Sequence, residues 1–254
     1  MCARLSLIKR GFLGPVLLLC LTAGGGATAY VPPAWYLLRQ LQAELTEVKA
    51  LRAKGEVRVP GDGTGIPAVE PHTPGAVQLE LLRPGRLRTV FLLNGKGRAL
   101  LRNGAAERNL DELGTGTLPA ECLALVPFMY EKHAQVLAAL RELGIDPERV
   151  AYDRIGRTVA IVLGRSEGPR LWLDQGTRAF LLLKRGEYEV TWTYDAGLAG
   201  GLPFPRTIEL RRAGRLLLTT VFTAVEQLRS LPPARFDPAA FDPASLTLDP
   251  ATLR

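Results

Sequence analysis

Residues that carry chemistry are scarce in this sequence. Its 254 residues include two histidines, three cysteines and two methionines. Cys2 and Cys20 lie in the first 29 residues and Cys122 stands alone in the rest, so no disulfide forms within residues 30–254 even in an oxidising compartment. One cysteine and two distant histidines, His72 and His133, do not supply the clustered donors of a zinc site. Neither common glycine-rich phosphate cradle occurs. Long runs of one charge are missing too. The formal net charge is +7, but the arginines are dispersed along the chain, which reads as a solvated surface and not as a nucleic-acid-binding face. Glycoside hydrolysis asks only for two carboxylates and is not excluded by composition, but no pattern points to it.

One motif does look catalytic. Gly164-Arg165-Ser166-Glu167-Gly168 spells G-x-S-x-G, the nucleophile elbow of lipases and esterases. An elbow needs a strand, a sharp turn and a helix, and its acid and histidine follow the serine in the chain. No histidine follows Ser166, and the flanking segments TVAIVLG (158–164) and RLWLDQ (170–175) both read as strands. With Gly168-Pro169 supplying turn chemistry, GRSEG is expected to be a hairpin loop.

The N-terminus is patterned for export. Arg4, Lys9 and Arg10 precede an apolar run from Phe12 to Leu21, and small residues end in Ala27-Thr28-Ala29. Those are the three regions of a secretory signal, with export and cleavage after Ala29 expected. The apolar run falls well short of the ~20 residues a membrane helix needs. Leu19 before Cys20 is too large for a lipoprotein signal. Without the leader the chain has 29 basic and 25 acidic residues, a net charge of +4, which permits mild attraction to anionic lipid surfaces.

What is present is amphipathic pattern. PPAWYLLRQLQAELTEVKALRAKG (32–55) opens on prolines, carries Leu37, Leu41, Leu45, Val48 and Leu51, and ends at Gly55, which predicts a helix over 33–53. EVRV then opens a first strand, and PGDGTGIPAVEPHTPG (60–75) reads as a loop. AVQLELL (76–82), RLRTVFLL (86–93) and GRALLRN (97–103) follow as strands. A second helix is predicted over 121–143, where Val126, Met129, His133, Val136 and Leu140 recur at helical spacing. Strands return around 150–164 and continue through 170–175, 179–184, Tyr188 to Tyr194, 202–212 and 215–228. In Tyr188 to Tyr194, Tyr188, Val190, Trp192 and Tyr194 share one face and Glu189, Thr191 and Thr193 the other, so one face is apolar and the other wet. About nine or ten such strands would form a meander whose concave face needs a cover, and the two helices supply it. The expected fold class is α+β, mostly β: a strongly curved antiparallel sheet, an incomplete β-barrel, closed by an N-terminal helix and a central lid helix. The domain is expected over 30–231, after the 1–29 leader. A tail at 232–254 repeats Asp-Pro-Ala at 237, 242 and 249. It reads either as extended backbone pinned by Phe236 and Phe241 or as a partner-binding segment.

With this layout the chain resembles the periplasmic lipoprotein-carrier superfamily, the LolA/LolB-like half-barrels. LTEVKALRAKGEVRV is similar to the family's opening helix-to-strand passage, LLRPGRLRTVFLLNGK to its second and third strands, and RLWLDQGTRAFLLLKR to its paired central strands. GLPFPRTIELRRAGRLLLTTVFTAVEQL, followed by FDP, is similar to the closing strands of its outer-membrane lipoprotein-sorting relatives, and the likeness covers most of 33–242. The resemblance implies non-covalent binding of acyl chains of lipoproteins or lipids in an apolar hollow, with no catalysis, cofactor or metal. It also implies partners at either membrane, an inner-membrane lipoprotein-release complex or an outer-membrane acceptor, with transient membrane contact and no nucleic acid. The chain departs from the carriers at Gly55-Glu56-Val57-Arg58, where a Phe-x-Gln-rich start is absent. The residues expected to line the hollow are Phe91, Trp172, Phe180, Val190 and Trp192 on the sheet and Met129, His133 and Leu137 on the lid helix. Trp172 is the odd member, because Leu171 and Leu173 beside it face the other way. A structural or lipid-sensing envelope protein with a filled core is the alternative function.

Overall fold

The computed structural model describes residues 30–60, 74–93, 96–104, 106–111 and 132–241. The leader, most of the 60–75 loop, Met129 with the first half of the predicted central helix, and the tail beyond 241 lie outside the described residues.

Helix α1 (Ala34–Glu44) starts where extended Pro33 offers its carbonyl to the amides of Tyr36 and Leu37 at 3.0 and 3.3 Å. Leu37, Leu38 and Leu41 face inward and are fully buried, while Trp35, Tyr36 and Arg39 face out. The helix ends nine residues short of the predicted 33–53 span. Thr46 Oγ1 donates to the Gln42 carbonyl at 3.0 Å and the Val48 amide to the Leu45 carbonyl at 3.1 Å, closing a tight turn. Apolar spacing alone could not show this stop. Leu45 and Val48 stay buried through the turn, and Leu51 and Ala53 then continue inward with strand period. Pairing decides the matter, since residues 50–58 gain ladder partners on both sides.

Among the described residues the sheet has twelve strands. They are β1 (Ala50–Arg58), β2 (Pro74–Leu82), β3 (Arg86–Leu93), β4 (Lys96–Asn103), β5 (Ala106–Asp111), β6 (Val150–Ile155), β7 (Thr158–Leu163), β8 (Arg170–Asp174), β9 (Phe180–Arg185), β10 (Tyr188–Tyr194), β11 (Pro205–Arg212) and β12 (Arg215–Leu228), with helix α2 (His133–Glu142) between β5 and β6. The order is β5-β4-β3-β2-β1-β12-β11-β10-β9-β8-β7-β6. Two meanders therefore join through the antiparallel β1–β12 pair, and β5 and β6 remain as edges of an unclosed sheet. So long a twisted sheet curls. Bulges at Lys54/Gly55, Trp172/Leu173, Thr193/Tyr194 and Leu210/Arg211 add bend. One face gathers a single apolar core that takes in Leu100 of β4, Ile161 of β7 and the leucines of both helices. The mostly-β half-barrel with two helices is thus the observed fold.

The opposite, outer face carries smaller clusters. A 3₁₀ turn at Pro233–Phe236 folds back so that Leu231 and Phe236 pack on Ala50 and Leu82, and Phe241 packs on Val90, Ala99 and Leu101. Residues 232–241 are therefore pinned along the outside of the sheet by the two phenylalanines of the repeat.

Candidate functional site

The concave face is built by strand alternation. On β10, Val190 lies opposite Leu210 of β11 and Trp192 opposite Ile208, and Ile208 lies opposite Thr220 of β12. The Phe180 and Trp192 rings meet edge-on at 6.0 Å, and those of Phe204 and Phe222 at 5.0 Å. The Tyr194 hydroxyl donates to the Phe180 carbonyl at 2.8 Å and fixes the β9–β10 corner. Over this wall lie Leu37, Leu38 and Leu41 of α1 and Val136 and Leu140 of α2. Two arginines tie α1 and the turn after it to the connections of the sheet. Arg83 Nη1 donates to the Leu45 carbonyl at 2.7 Å, and Arg178 Nε to Gln40 Oε1 at 3.2 Å. Helix α2 begins with the Lys132 amide donating to Gln135 Oε1 at 3.2 Å. Where it meets the turns after β2 and β4, a cleft of about 220 Å³ remains, lined by Gly85, Arg102, Gly104, Gln135, Ala138, Ala139 and Glu142.

Four of the predicted lining residues, Phe91, Phe180, Val190 and Trp192, are buried together in this core, and Leu137 packs half-buried against it. His133 is the first residue of α2, half-buried at its edge. Trp172 does not join them. It belongs to an outer-face cluster with Ala160, Val162 and Leu182, its Nε1 donates to Asp153 Oδ2 at 2.8 Å, and Arg170 stacks 4.8 Å from its ring. Alternation places it there, between inward-facing Leu171 and Leu173. Phe222 and Thr220 were legible as alternating members of β12 but were not singled out. Phe204, wedged between Pro203 and Pro205 in a connection, gave no periodic signal.

Two aspects of the wall are electrostatic. No charged side chain lies opposite Trp192 or Thr220 in the ladder, whose members there are Val57 and Ile208. Yet among the described residues five buried side-chain polar atoms have no hydrogen-bond partner: Thr89 Oγ1, Trp192 Nε1 and Thr220 Oγ1 on the strands of the wall, and Arg170 Nε and Arg178 Nη1. The GRSEG segment joins β7 to β8 as a hairpin loop, as its residues predict. Gly164 takes a φ of 112° where a Cβ would overlap the Pro169 carbonyl oxygen, and the exposed Ser166 hydroxyl donates to Oε1 of neighbouring Glu167 at 3.4 Å.

No family model matches the chain, and no curated protein sequence does. Solved structures do. A LolA superfamily protein from Nitrosomonas europaea superposes with a TM-score of 0.50 at 12% identity, over 82% of this chain and 98% of that one. An outer membrane lipoprotein-sorting protein domain from Vibrio parahaemolyticus superposes with a TM-score of 0.51 at 8% identity, over 80% and 95% of the two chains. Far diverged in sequence, the chain has a LolA-like fold.

Proposed function

We propose that this protein is an exported, non-enzymatic lipid- or lipoprotein-binding protein that shields acyl chains inside its half-barrel. In this reading the leader is removed after Ala29, the protein works in the periplasm, and it exchanges cargo with an inner-membrane release complex or an outer-membrane acceptor. One observation carries the proposal: an open, strongly curved sheet whose concave face is apolar and aromatic around Phe180, Val190, Trp192 and Phe222, with buried Arg98 opposite Phe91 on one flank, covered by two short helices. Magnitudes support it. Burying twelve CH₂ groups of an acyl chain contributes about 10 kcal/mol at roughly 0.8 kcal/mol each. Full burial of three leucines such as Leu37, Leu38 and Leu41 is worth about 5–9 kcal/mol. An entering acyl chain therefore competes on equal terms with α1 for the wall, and α1 acts as a displaceable lid.

The same three leucines favour a second reading, an envelope interaction protein whose hollow is permanently filled. Mass spectrometry of an organic extract from protein purified out of an envelope fraction, without detergent, separates the two. A stoichiometric phospholipid or acylated peptide is the expected result. A clean extract, with no later uptake of a fluorescent acyl probe, would leave the filled-core protein standing.

A further inference from the structure

We propose that Trp192 Nε1, together with the Thr220 hydroxyl, is the anchor for the carbonyl oxygen of an acyl ester or amide in the hollow. The inference rests on the lipid-binding reading and names the chemistry that the hollow selects.

The indole nitrogens show why. The chain has three tryptophans. Trp35 is 48% exposed. Trp172 is buried and its N–H is paired with Asp153 at 2.8 Å. Trp192 is 3% exposed and its N–H has no partner. Burying a donor without a partner forfeits its hydration, so a fold that retains one either loses that stability or meets its partner in another state. The Thr220 hydroxyl is equally buried and equally unpaired. The two stand in one cross-strand row, Trp192–Ile208–Thr220, with backbones roughly 10 Å apart, and Ile208 between them offers no acceptor. Phe180 packs on the indole, and Phe222 lies two residues beyond Thr220 along β12.

This arrangement reads its ligand by exclusion. A bare hydrocarbon leaves both donors unsatisfied. A free carboxylate or a phosphate would be buried against apolar neighbours with no cation in the row, which is strongly unfavourable. A neutral carbonyl has two lone pairs, accepts from an indole N–H and a hydroxyl, and brings no charge. Its hydrocarbon then continues along the wall of phenylalanines while any charged headgroup stays outside. Both a phospholipid and the acylated N-terminus of a lipoprotein present that group.

The test is the indole region of the ¹⁵N–¹H spectrum of the exported protein, assigned with Trp35→Phe and Trp172→Phe. The probes are dihexanoyl phosphatidylglycerol, a synthetic diacylated lipopeptide, and n-decane as a carbonyl-free control. Binding of each is followed separately by displacement of a fluorescent acyl probe. The expected result is a downfield shift of the Trp192 N–H with a carbonyl-bearing probe and none with decane. A response to phosphatidylglycerol alone assigns the site to membrane lipid, and a response to the lipopeptide alone assigns it to protein-borne acyl groups. Trp192→Phe and Thr220→Val each weaken the carbonyl-bearing probe by about fivefold and leave decane unchanged. If the probes bind but the Trp192 signal stays put, or decane moves it equally, the anchor is wrong and lipid binding survives. If no probe binds, both fall.

Discussion

Glu80 of β2 and Arg235, 155 residues later on the 3₁₀ turn, meet at 3.1 Å on the outside of the sheet. The Glu80 carboxylate is fully buried and also takes Arg52 at 3.0 Å and Arg88 at 3.4 Å, its register neighbours on β1 and β3. Three guanidiniums on one carboxylate leave excess positive charge. Burial pushes the Arg88 guanidinium below its usual range, with Glu80 opposing that shift. Removing the acid strips this cluster of its only buried anion among the described residues. Glu80→Ala is expected to cost about 3–5 kcal/mol in urea unfolding. Arg235→Ala, whose side chain is 41% exposed, should cost less than about 1 kcal/mol. Equal losses would show that Glu80 acts through the tail alone.

The tail itself is held mainly by packing. Phe236 is fully buried against Ala50, Leu82 and Leu231, and Arg108 Nη1 donates to the Pro238 carbonyl at 3.0 Å. Phe236→Ala should lower stability by about 3–5 kcal/mol and make residues 232–241 an early site of proteolysis. Because this cluster lies on the face opposite the hollow, acyl-probe affinity should stay at the wild-type value. A parallel loss of affinity would mean that the two faces are coupled through β1 and β2.

Gly55 sits at the β1 bulge against β12, and a Cβ there would overlap the Val221 carbonyl oxygen and lie 2.7 Å from Phe222 Cα. Backbone on a central strand cannot yield as a flexible side chain does. Gly55→Ala is expected to fail to fold or to unfold at much lower urea, whereas Gly186→Ala, in open space at a φ of 57°, should cost only about 1 kcal/mol of backbone strain. Circular dichroism with a urea titration distinguishes the two. A stable Gly55→Ala protein would mean that the bulge is free to relax.

The strands were legible where one face is wet and the other dry. β3 and β12 fall on their predicted spans because Leu87, Thr89 and Phe91, and later Leu218, Thr220 and Phe222, alternate cleanly. β5 was missed because AERNLD is an edge strand paired only with β4, where no apolar alternation is required. The end of α1 was overrun because Leu45, Val48 and Leu51 mimic helical spacing while passing through a turn. Glu80 went unseen because its meaning lies in register. Arg52, Glu80 and Arg88 are far apart in sequence and become a cluster only when three strands align. The inner wall followed from alternation as far as Phe91, Phe180, Val190 and Trp192. The unpaired Trp192 nitrogen belongs to tertiary packing and no pattern announces it.

Trp172 and Asp153 make the last prediction. The hydrogen bond from Trp172 Nε1, and then that from the Arg154 amide, hold the Asp153 carboxyl below the ordinary 3.8. A carboxyl depressed in the folded state contributes stability that is fully present above its unfolded value and disappears as pH falls through the lower folded value. Asp146, chiefly through Arg165, and Asp195, chiefly through the Gly197 amide, are depressed in the same sense. The stability these three carboxyls contribute should therefore be lost towards acid, as pH falls past the ordinary 3.8, and not across neutral pH. Trp172→Phe keeps the ring on the outer face but removes its N–H. In a ¹³C carboxyl titration, Asp153 should then move up towards its ordinary value while Asp146 and Asp195 stay where they were. An unchanged Asp153 midpoint would assign the depression to the Arg154 amide and leave Trp172 a packing residue only.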